Sequence, residues 1–160
     1  MARTSNEHIK QNDSRCLEKI QKIGCFVRSC GLVAEYKTGK KLTVEQVNEM
    51  WNEGVEEGII NSKDDLVNPA AMITKALRKL GDSGKYVEVG TIRNGVMSLY
   101  HWVNVDLYPN AFIKKISQGG PSKYHFVLSN EVGETVEDPH DPPIYELGVE
   151  YIICYRYRKG

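Results

Sequence analysis

Residues 24–37 read Gly-Cys-Phe-Val-Arg-Ser-Cys-Gly-Leu-Val-Ala-Glu-Tyr-Lys, and this stretch decides the fold. Placed on a helix, its apolar side chains point in nearly all directions, which is typical of a central helix that neighbouring elements cover. Gly39 follows as a C-terminal cap, because glycine readily adopts the left-handed conformation at helix ends. The sequence therefore predicts a buried helix over 25–37, with Cys25 at its N-terminus.

Three more helices are predicted around this one. Apolar residues recur at helical spacing over 13–23. Thr43 and Gln46 form a capping box that begins a helix ending near residue 57. An asparagine cap followed by proline begins another helix over 68–80, because proline fits the first helical position.

The pattern changes to strands after residue 85. Strand-forming residues are found over 86–89 and 97–105, and the segments 124–129 and 135–137 enclose a turn that is typical of a hairpin. A last strand is predicted over 149–157, at the edge of the sheet and with a solvated, basic tip.

Helices followed by antiparallel strands indicate an α+β fold, in which N-terminal helices pack on a C-terminal sheet. The 160 residues fit one domain, and the polar residues 1–12 are expected to be flexible.

The charge and hydropathy of the chain indicate which partners and which cellular location to expect. The chain has 21 basic and 21 acidic residues, whereas a nucleic-acid-binding protein usually has a basic excess. No apolar run is long enough to span a bilayer, and the N-terminus lacks the apolar core of a secretory signal. We therefore expect a cytoplasmic protein that binds neither nucleic acid nor membrane. The oligomeric state stays open.

The four cysteines of the chain lack the Cys-x-x-Cys spacing of zinc ligands, so no metal and no cofactor are predicted. Without a secretory context, reduced thiols are expected, which leaves room for a reactive cysteine. Cys25 is the candidate, because unpaired amides and the dipole of a helix N-terminus stabilise a thiolate. The same position also suits an ordinary buried cysteine.

The predicted hairpin brings a histidine near a carboxylate. If the turn centres between Glu131 and Val132, His125 lies opposite Asp138, with about 5 Å between their Cβ atoms. The carboxylate would then orient the imidazole and leave its other nitrogen for a thiol. A register slip of two residues would place His140 opposite His125 instead.

Other polar residues are weaker candidates. Asp141 is a second carboxylate within reach of His125, so either aspartate could orient the ring. Gln21 lies four residues before Cys25 and could donate to an oxyanion, although glutamine is also common on exposed helix faces. His8 and His101 have no partner that is evident from the sequence.

The order of these residues resembles the papain-like cysteine peptidase superfamily, and most closely its bacteriocin-processing (double-glycine leader) peptidases. The resemblance rests on Gly24-Cys25 before a small and apolar helix, on His125 opening a strand, and on Asp138-Pro139 after a tight turn. It spans most of residues 21–139, but its motifs are short. These peptidases usually have Gly-Pro after the cysteine, where this chain has Phe-Val, and their glutamine lies further upstream than Gln21.

The resemblance implies roles for four residues. Cys25 would be the nucleophile, His125 the base, Asp138 the orienting acid and Gln21 an oxyanion donor. A rival resemblance, of residues 30–33 to the cell-wall endopeptidase branch, would make Cys30 the nucleophile. Because residues five apart on a helix point roughly 140° away from each other, Cys25 and Cys30 do not both line one site.

The sequence thus predicts a papain-like hydrolase that cleaves an amide bond through a thioester, with a peptide or peptide-like substrate. The alternative is a catalytically inactive papain-like binding or inhibitory module, which the missing Gly-Pro favours. A purely structural domain is a third possibility, and it predicts that Cys25 and His125 lie far apart.

Overall fold

The chain passes from helices to strands at residue 85 in a computed structural model that describes residues 8–103, 108–118 and 124–160. The described part contains four helices and six strands, so the fold is α+β. The helices are α1 (Glu18–Ile23), α2 (Cys25–Thr38), α3 (Val44–Glu56) and α4 (Pro69–Lys79), and the strands are β1 (Lys85–Arg93), β2 (Val96–Leu99), β3 (Ala111–Ser117), β4 (Tyr124–Ser129), β5 (Thr135–Glu137) and β6 (Gly148–Arg158).

The predicted caps determine where three of the helices begin or end. Helix α2 ends at Gly39, whose φ of 71° lies in the left-handed region. Thr43 and Gln46 exchange the two hydrogen bonds of a capping box at the start of α3. The Asn68 side chain accepts a hydrogen bond from the Ala71 amide at the start of α4. These predictions are confirmed.

Helix α1 is shorter than the sequence predicts. It begins at Glu18 rather than near residue 13, because the Asp13 carboxylate accepts the Arg15 amide and holds residues 13–16 in a turn. A single glycine, Gly24, separates α1 from α2. A Cβ atom at this position would lie 2.5 Å from the Ile20 carbonyl oxygen, so only glycine allows the two helices to meet so closely.

The six strands form one antiparallel sheet in the order β2-β1-β6-β3-β4-β5. The prediction that the last strand lies at an edge is wrong, since β6 pairs with both β1 and β3. Residues 152–155 of β6 are buried on both faces of the sheet, and this removes the alternation that would mark an ordinary half-exposed strand. The predicted strand over 97–105 ends at Leu99, and its residues 104 and 105 lie outside the described ranges.

Two apolar clusters stabilise the sheet, one on each face. The larger cluster joins the four helices to one face through residues such as Ile20, Leu32, Met72 and Ile113. The smaller one lies on the other face and contains Val89, Ile92, Phe112, Ile152 and Cys154. Helix α2 lies in the larger cluster, with residues 27–35 buried, as its sequence predicts.

The described part of the N-terminal region is packed against the domain. Gln11 is only 3% exposed, and its amide donates to the Pro139 carbonyl at 2.7 Å. The flexibility predicted for residues 1–12 therefore does not extend to residues 8–12, whereas residues 1–7 lie outside the described ranges. None of the helices in the described ranges is both long enough and apolar enough to cross a bilayer.

Candidate active site

Cys25 is the first residue of α2, directly after the close contact between Gly24 and α1. Its side chain is half-buried, whereas Cys16, Cys30 and Cys154 are buried. Cys25, Cys30 and Cys154 are free thiols. Cys25 is thus the cysteine that a reagent or substrate reaches most easily.

His125 is the second residue of β4 and is 3% exposed. Two contacts bring β4 against the first turns of α2. The rings of Phe26 and Phe126 stack with 4.0 Å between their centroids, and the Ser29 hydroxyl donates to the Phe126 carbonyl at 3.1 Å. Because Phe26 follows Cys25 and Phe126 follows His125, these contacts hold the Cys25 thiol and the His125 imidazole close to each other.

The His125 ring lies next to two side chains. Its Nε2 atom lies 2.6 Å from Oδ1 of Asp138, and the Cys25 side chain is close enough to raise the pKa of the ring. Since Nε2 is used by Asp138, Nδ1 is the nitrogen left for the sulfur. The fold therefore brings Cys25, His125 and Asp138 together in the order thiol, imidazole, carboxylate.

The Asp138 carboxylate is fixed from its other side by two backbone amides. The His140 amide donates to Oδ1 at 2.8 Å, and the Ile144 amide donates to Oδ2 at 2.9 Å. Asp138 is therefore the aspartate that orients the His125 ring. The backbone of Asp141, the alternative, is held by Asn12 instead.

The predicted pairing that led to Asp138 is wrong in its register. Leu128 pairs with Glu137, and this register, if continued, would place His140 opposite His125. A bulge next to Leu128 shifts the pairing, and the ladder ends at Glu137. Asp138 reaches the ring from beyond the end of β5, and the His140 ring lies edge-on to that of His125 at 6.2 Å.

The electrostatics of the site favour a protonated imidazole. Burial alone would lower the pKa of His125, but the hydrogen bonds and charges of Asp138 and Cys25 raise that pKa to about 9. Burial likewise acts to raise the pKa of Asp138, but its hydrogen bonds to His125 and to the two backbone amides lower that pKa below its ordinary value. The site therefore holds a charged His125–Asp138 pair at neutral pH.

The side chain of Gln21, the predicted oxyanion donor, is engaged elsewhere. Its side-chain nitrogen donates to the Cys16 carbonyl at 2.7 Å, so this donor already has an acceptor. The next glutamine upstream, Gln11, was missed by the sequence analysis. Its side-chain nitrogen lies 3.5 Å from the Gln21 carbonyl oxygen, and its Oε1 atom is buried and has no partner among the described residues.

Gln11 lies between the two segments that carry the site. Through its backbone it holds the Asp138-Pro139 corner, and through its side chain it contacts α1 just before Cys25.

Cys30 is not an alternative nucleophile in this fold. Its side chain is fully buried, and its thiol lies 3.6 Å from the Pro69 carbonyl oxygen as a donor. Burial raises the pKa of Cys30 well above its ordinary value. Gly31, which contributed to the rival resemblance, makes room for the buried Arg28, since a Cβ there would lie 2.4 Å from the guanidinium.

Residues 10–12 run beside residues 138–141 and bind them at successive positions. Lys10 donates to the Asp138 carbonyl at 2.7 Å, and the Gln11 amide to the next carbonyl along the chain. Asn12 then exchanges two hydrogen bonds with the backbone of Asp141, at 2.6 and 3.0 Å. We call residues 8–12 the N-terminal strap.

The strap is also bound to α2. The Arg28 side chain donates to the Ile9 carbonyl at 2.6 Å and forms a buried ion pair with Glu35. His8 lies 2.8 Å from the Glu35 carboxylate and stacks on Tyr36, so it has partners that the sequence did not reveal. The strap thus ties the helix that carries Cys25 to the corner that carries Asp138.

Among the described residues, no group of three or more histidine, cysteine, aspartate or glutamate side chains could hold a metal ion. No protein-family model matches the chain, and neither a curated protein nor a solved structure matches it.

Proposed function

We propose that this chain is a papain-like cysteine hydrolase that cleaves an amide bond in a peptide or peptide-like substrate. The observation that supports the proposal is the His125 ring, which lies beside the half-buried Cys25 and is hydrogen-bonded to Asp138. A nucleophile, a shared base and an orienting carboxylate in this order are the parts that nucleophilic catalysis of acyl transfer needs.

In the proposed acylation step, the Cys25 sulfur adds to the substrate carbonyl carbon. The carbon–nitrogen bond then breaks, the protonated His125 gives its proton to the leaving amine, and a thioester forms. A pKa of about 9 for His125 keeps the imidazole protonated at neutral pH, so that it can act as the acid in this step. Asp138 keeps the ring oriented throughout.

In the proposed deacylation step, water adds to the thioester and His125 takes its proton. The carbon–sulfur bond breaks, which releases the carboxylic acid and restores the thiolate beside a protonated imidazole. The tetrahedral oxyanion of both steps needs hydrogen-bond donors. We assign this role to backbone amides at the start of α2, and Gln21 is left out of the proposal because its side-chain nitrogen donates to the Cys16 carbonyl.

The decisive experiment is labelling of the native protein with iodoacetamide, located by peptide mass spectrometry. We expect rapid labelling at Cys25, which is lost in Cys25→Ala and unchanged in Cys30→Ala. His125→Ala should slow the labelling of Cys25 at least tenfold, because the protonated imidazole no longer stabilises the thiolate; about 10²-fold is typical of such groups. Equal labelling rates at Cys25 with and without His125 would refute the proposal.

A second candidate function is a catalytically inactive papain-like binding module. It is favoured by the Phe26-Val27 pair in place of Gly-Pro and by the engagement of the Gln21 side chain with Cys16. This candidate predicts that Cys25 is labelled no faster than a free cysteine and that no peptide in a library is cleaved. The free thiols of Cys25, Cys30 and Cys154 support a reducing, cytoplasmic location for either function.

A further inference from the structure

A row of aromatic and cationic side chains crosses the sheet beside the proposed active centre. Phe126 of β4 pairs with Lys115 of β3, and Lys115 pairs with Tyr151 of β6. Arg93 of β1 is one position beyond the pair Ile92–Ile152, so it continues the row next to Tyr151. We call Phe126, Tyr124, Lys115, Tyr151 and Arg93 the cation–aromatic row.

The members of the row contact one another and the active centre. The Lys115 ammonium lies 4.0 Å from the Tyr124 ring centroid and 5.3 Å from that of Tyr151. The Arg93 guanidinium lies 4.7 Å from the Tyr151 ring centroid. At the other end, Phe126 stacks on Phe26, the neighbour of Cys25. The row therefore begins at the nucleophile and leads away across four strands.

Within the described ranges, the two cations of the row have no carboxylate partner. Over the described ranges, neither Lys115 nor Arg93 takes part in an ion pair, whereas Lys75, Lys79 and Lys114 all do. Arg93 is exposed, Tyr124 is 44% exposed, and Lys115 is half-buried. A cation held over aromatic rings keeps its charge available to a further anionic group.

Two acidic residues lie near the Tyr151 end of the row. Glu88 and Glu150 both act to raise the pKa of Tyr151, although burial is the larger cause. Glu88 accepts a hydrogen bond from the Tyr100 hydroxyl, and it forms no ion pair with Lys115 or Arg93 among the described residues. The positive charge of the row is thus concentrated at Lys115 and Arg93.

We infer that the cation–aromatic row binds acidic side chains of an extended peptide substrate, an inference that rests on the proposed function. Strands are about 4.8 Å apart, so Lys115 lies about 5 Å and Arg93 about 14 Å from β4 across the sheet. An extended peptide advances about 3.3 Å per residue. On an extended peptide that crosses the strands, acidic side chains about two and about four residues beyond the position over β4 would therefore reach Lys115 and Arg93.

Single-stranded nucleic acid is the other ligand that combines negative charge with aromatic contacts. The aromatic rings of the row are poorly placed to stack on bases, because one face of each ring is already covered by another side chain. Lys115 lies over Tyr124, Arg93 over Tyr151, and Phe126 stacks on Phe26. The net charge of zero also gives no general attraction to phosphates. The arrangement favours carboxylates over bases.

The test uses the Cys25→Ala variant, so that binding is measured without hydrolysis. The probes are fluorescein-labelled peptides of alternating sequence, Glu-Ala-Glu-Ala-Glu-Ala and its Gln-Ala counterpart, and a labelled thymidine hexanucleotide, measured by fluorescence anisotropy in low salt. We expect the glutamate peptide to bind about tenfold more tightly than the glutamine peptide. This preference should fall below twofold when Lys115→Gln and Arg93→Gln are added.

The matched controls are Lys41→Gln and Arg158→Gln, which remove exposed cations elsewhere and should leave the preference unchanged. Equal binding of the two peptides, a preference that survives loss of both row cations, or tighter binding of the oligonucleotide through these cations would each overturn the inference. Normal labelling of Cys25 together with equal peptide binding would refute the inference alone. A preference for glutamate without fast labelling would refute the proposed hydrolase, and with it a substrate role for the row.

Discussion

The two halves of the candidate site are held in different ways. Cys25 and His125 lie on regular elements, α2 and β4, which are joined by the Phe26–Phe126 stack and by apolar packing. Asp138 lies beyond the end of β5, in a corner without regular structure, and is held by hydrogen bonds from backbone amides and from the N-terminal strap. Packing tolerates small changes of polar groups, whereas a corner held by few hydrogen bonds depends on each of them.

The largest effect should come from removing the carboxylate that joins the two halves. We expect Asp138→Ala to lower the rate of peptide hydrolysis by about 100-fold or more, because the His125 ring loses its orientation and much of its positive charge. Asp138→Asn should retain more activity, since the amide can still accept a hydrogen bond. A steady-state assay of the three proteins, with circular dichroism as the folding control, measures this. Equal activity of Asp138→Ala and the parent protein would refute an orienting role.

The pH dependence of stability and of hydrolysis should report the charges of the site rather than its packing. The pKa of His125 is raised to about 9, above the unfolded value of about 6.5. The stability that its ion pair contributes is therefore fully present below about pH 6.5 and is lost as pH rises through about 9. We expect hydrolysis to decline over the same alkaline range.

In Asp138→Ala the alkaline limb of the pH–rate profile, where hydrolysis declines, should move to lower pH. The reason is that the main group that raises the pKa of His125 is gone. NMR titration of the His125 ring checks the assignment. An alkaline limb that stays in place in that variant would show that another group controls it. The pKa of Asp138 is lowered, so its contribution to stability is lost only as pH falls through that lowered value.

The half of the site that is held by packing, which carries Cys25 and His125, can be tested at Gly24. Gly24→Ala would place a methyl group 2.5 Å from the Ile20 carbonyl oxygen, so we expect a loss of about 1–3 kcal/mol in the free energy of unfolding. Urea denaturation measures this loss. Gly148→Ala is the control, because a Cβ there meets no atom within 4 Å and should change stability by less than about 0.5 kcal/mol. Equal losses in the two variants would contradict the close contact.

The smallest effect is expected at the strap. Asn12→Ala removes both side-chain hydrogen bonds to the backbone of Asp141, each of which stabilises by about 1 kcal/mol. We expect kcat to fall about threefold to tenfold with little change in KM, since the corner shifts while the substrate surface does not. Asn52→Ala, at an exposed position of α3, is the control. If Asn12→Ala lowered the stability but left kcat unchanged, the strap would have only a structural role.

The same contrast explains how much of the site could be predicted from the sequence. Helix α2 and strand β4 have strong local signals, so the positions of Cys25 and His125 followed from apolar patterns. Asp138 was found through a pairing register that is wrong, because no local signal marks the bulge beside Leu128. Its contact with His125 depends on backbone amides and on a distant segment, and neither is visible in the sequence.

Gln11 and β6 show the limits more clearly. A polar segment such as residues 8–12 has no apolar pattern, and its burial depends on Arg28 and Glu35, which lie far along the chain. The basic and aromatic composition of residues 155–159 predicts an edge strand, yet β6 has a neighbouring strand on each side, β1 and β3. Long-range pairing of this kind overrides local preference.

The central place of β6 has a consequence for how the protein forms. In chain order β6 follows all the other strands, yet it lies between β1 and β3. Before it is synthesised, the β1–β2 hairpin and the β3–β4–β5 meander have no strand to connect them, and each presents an open edge to other chains. The sheet is completed only when Gly148–Arg158 inserts between the two parts, a step dominated by contacts that are distant in sequence.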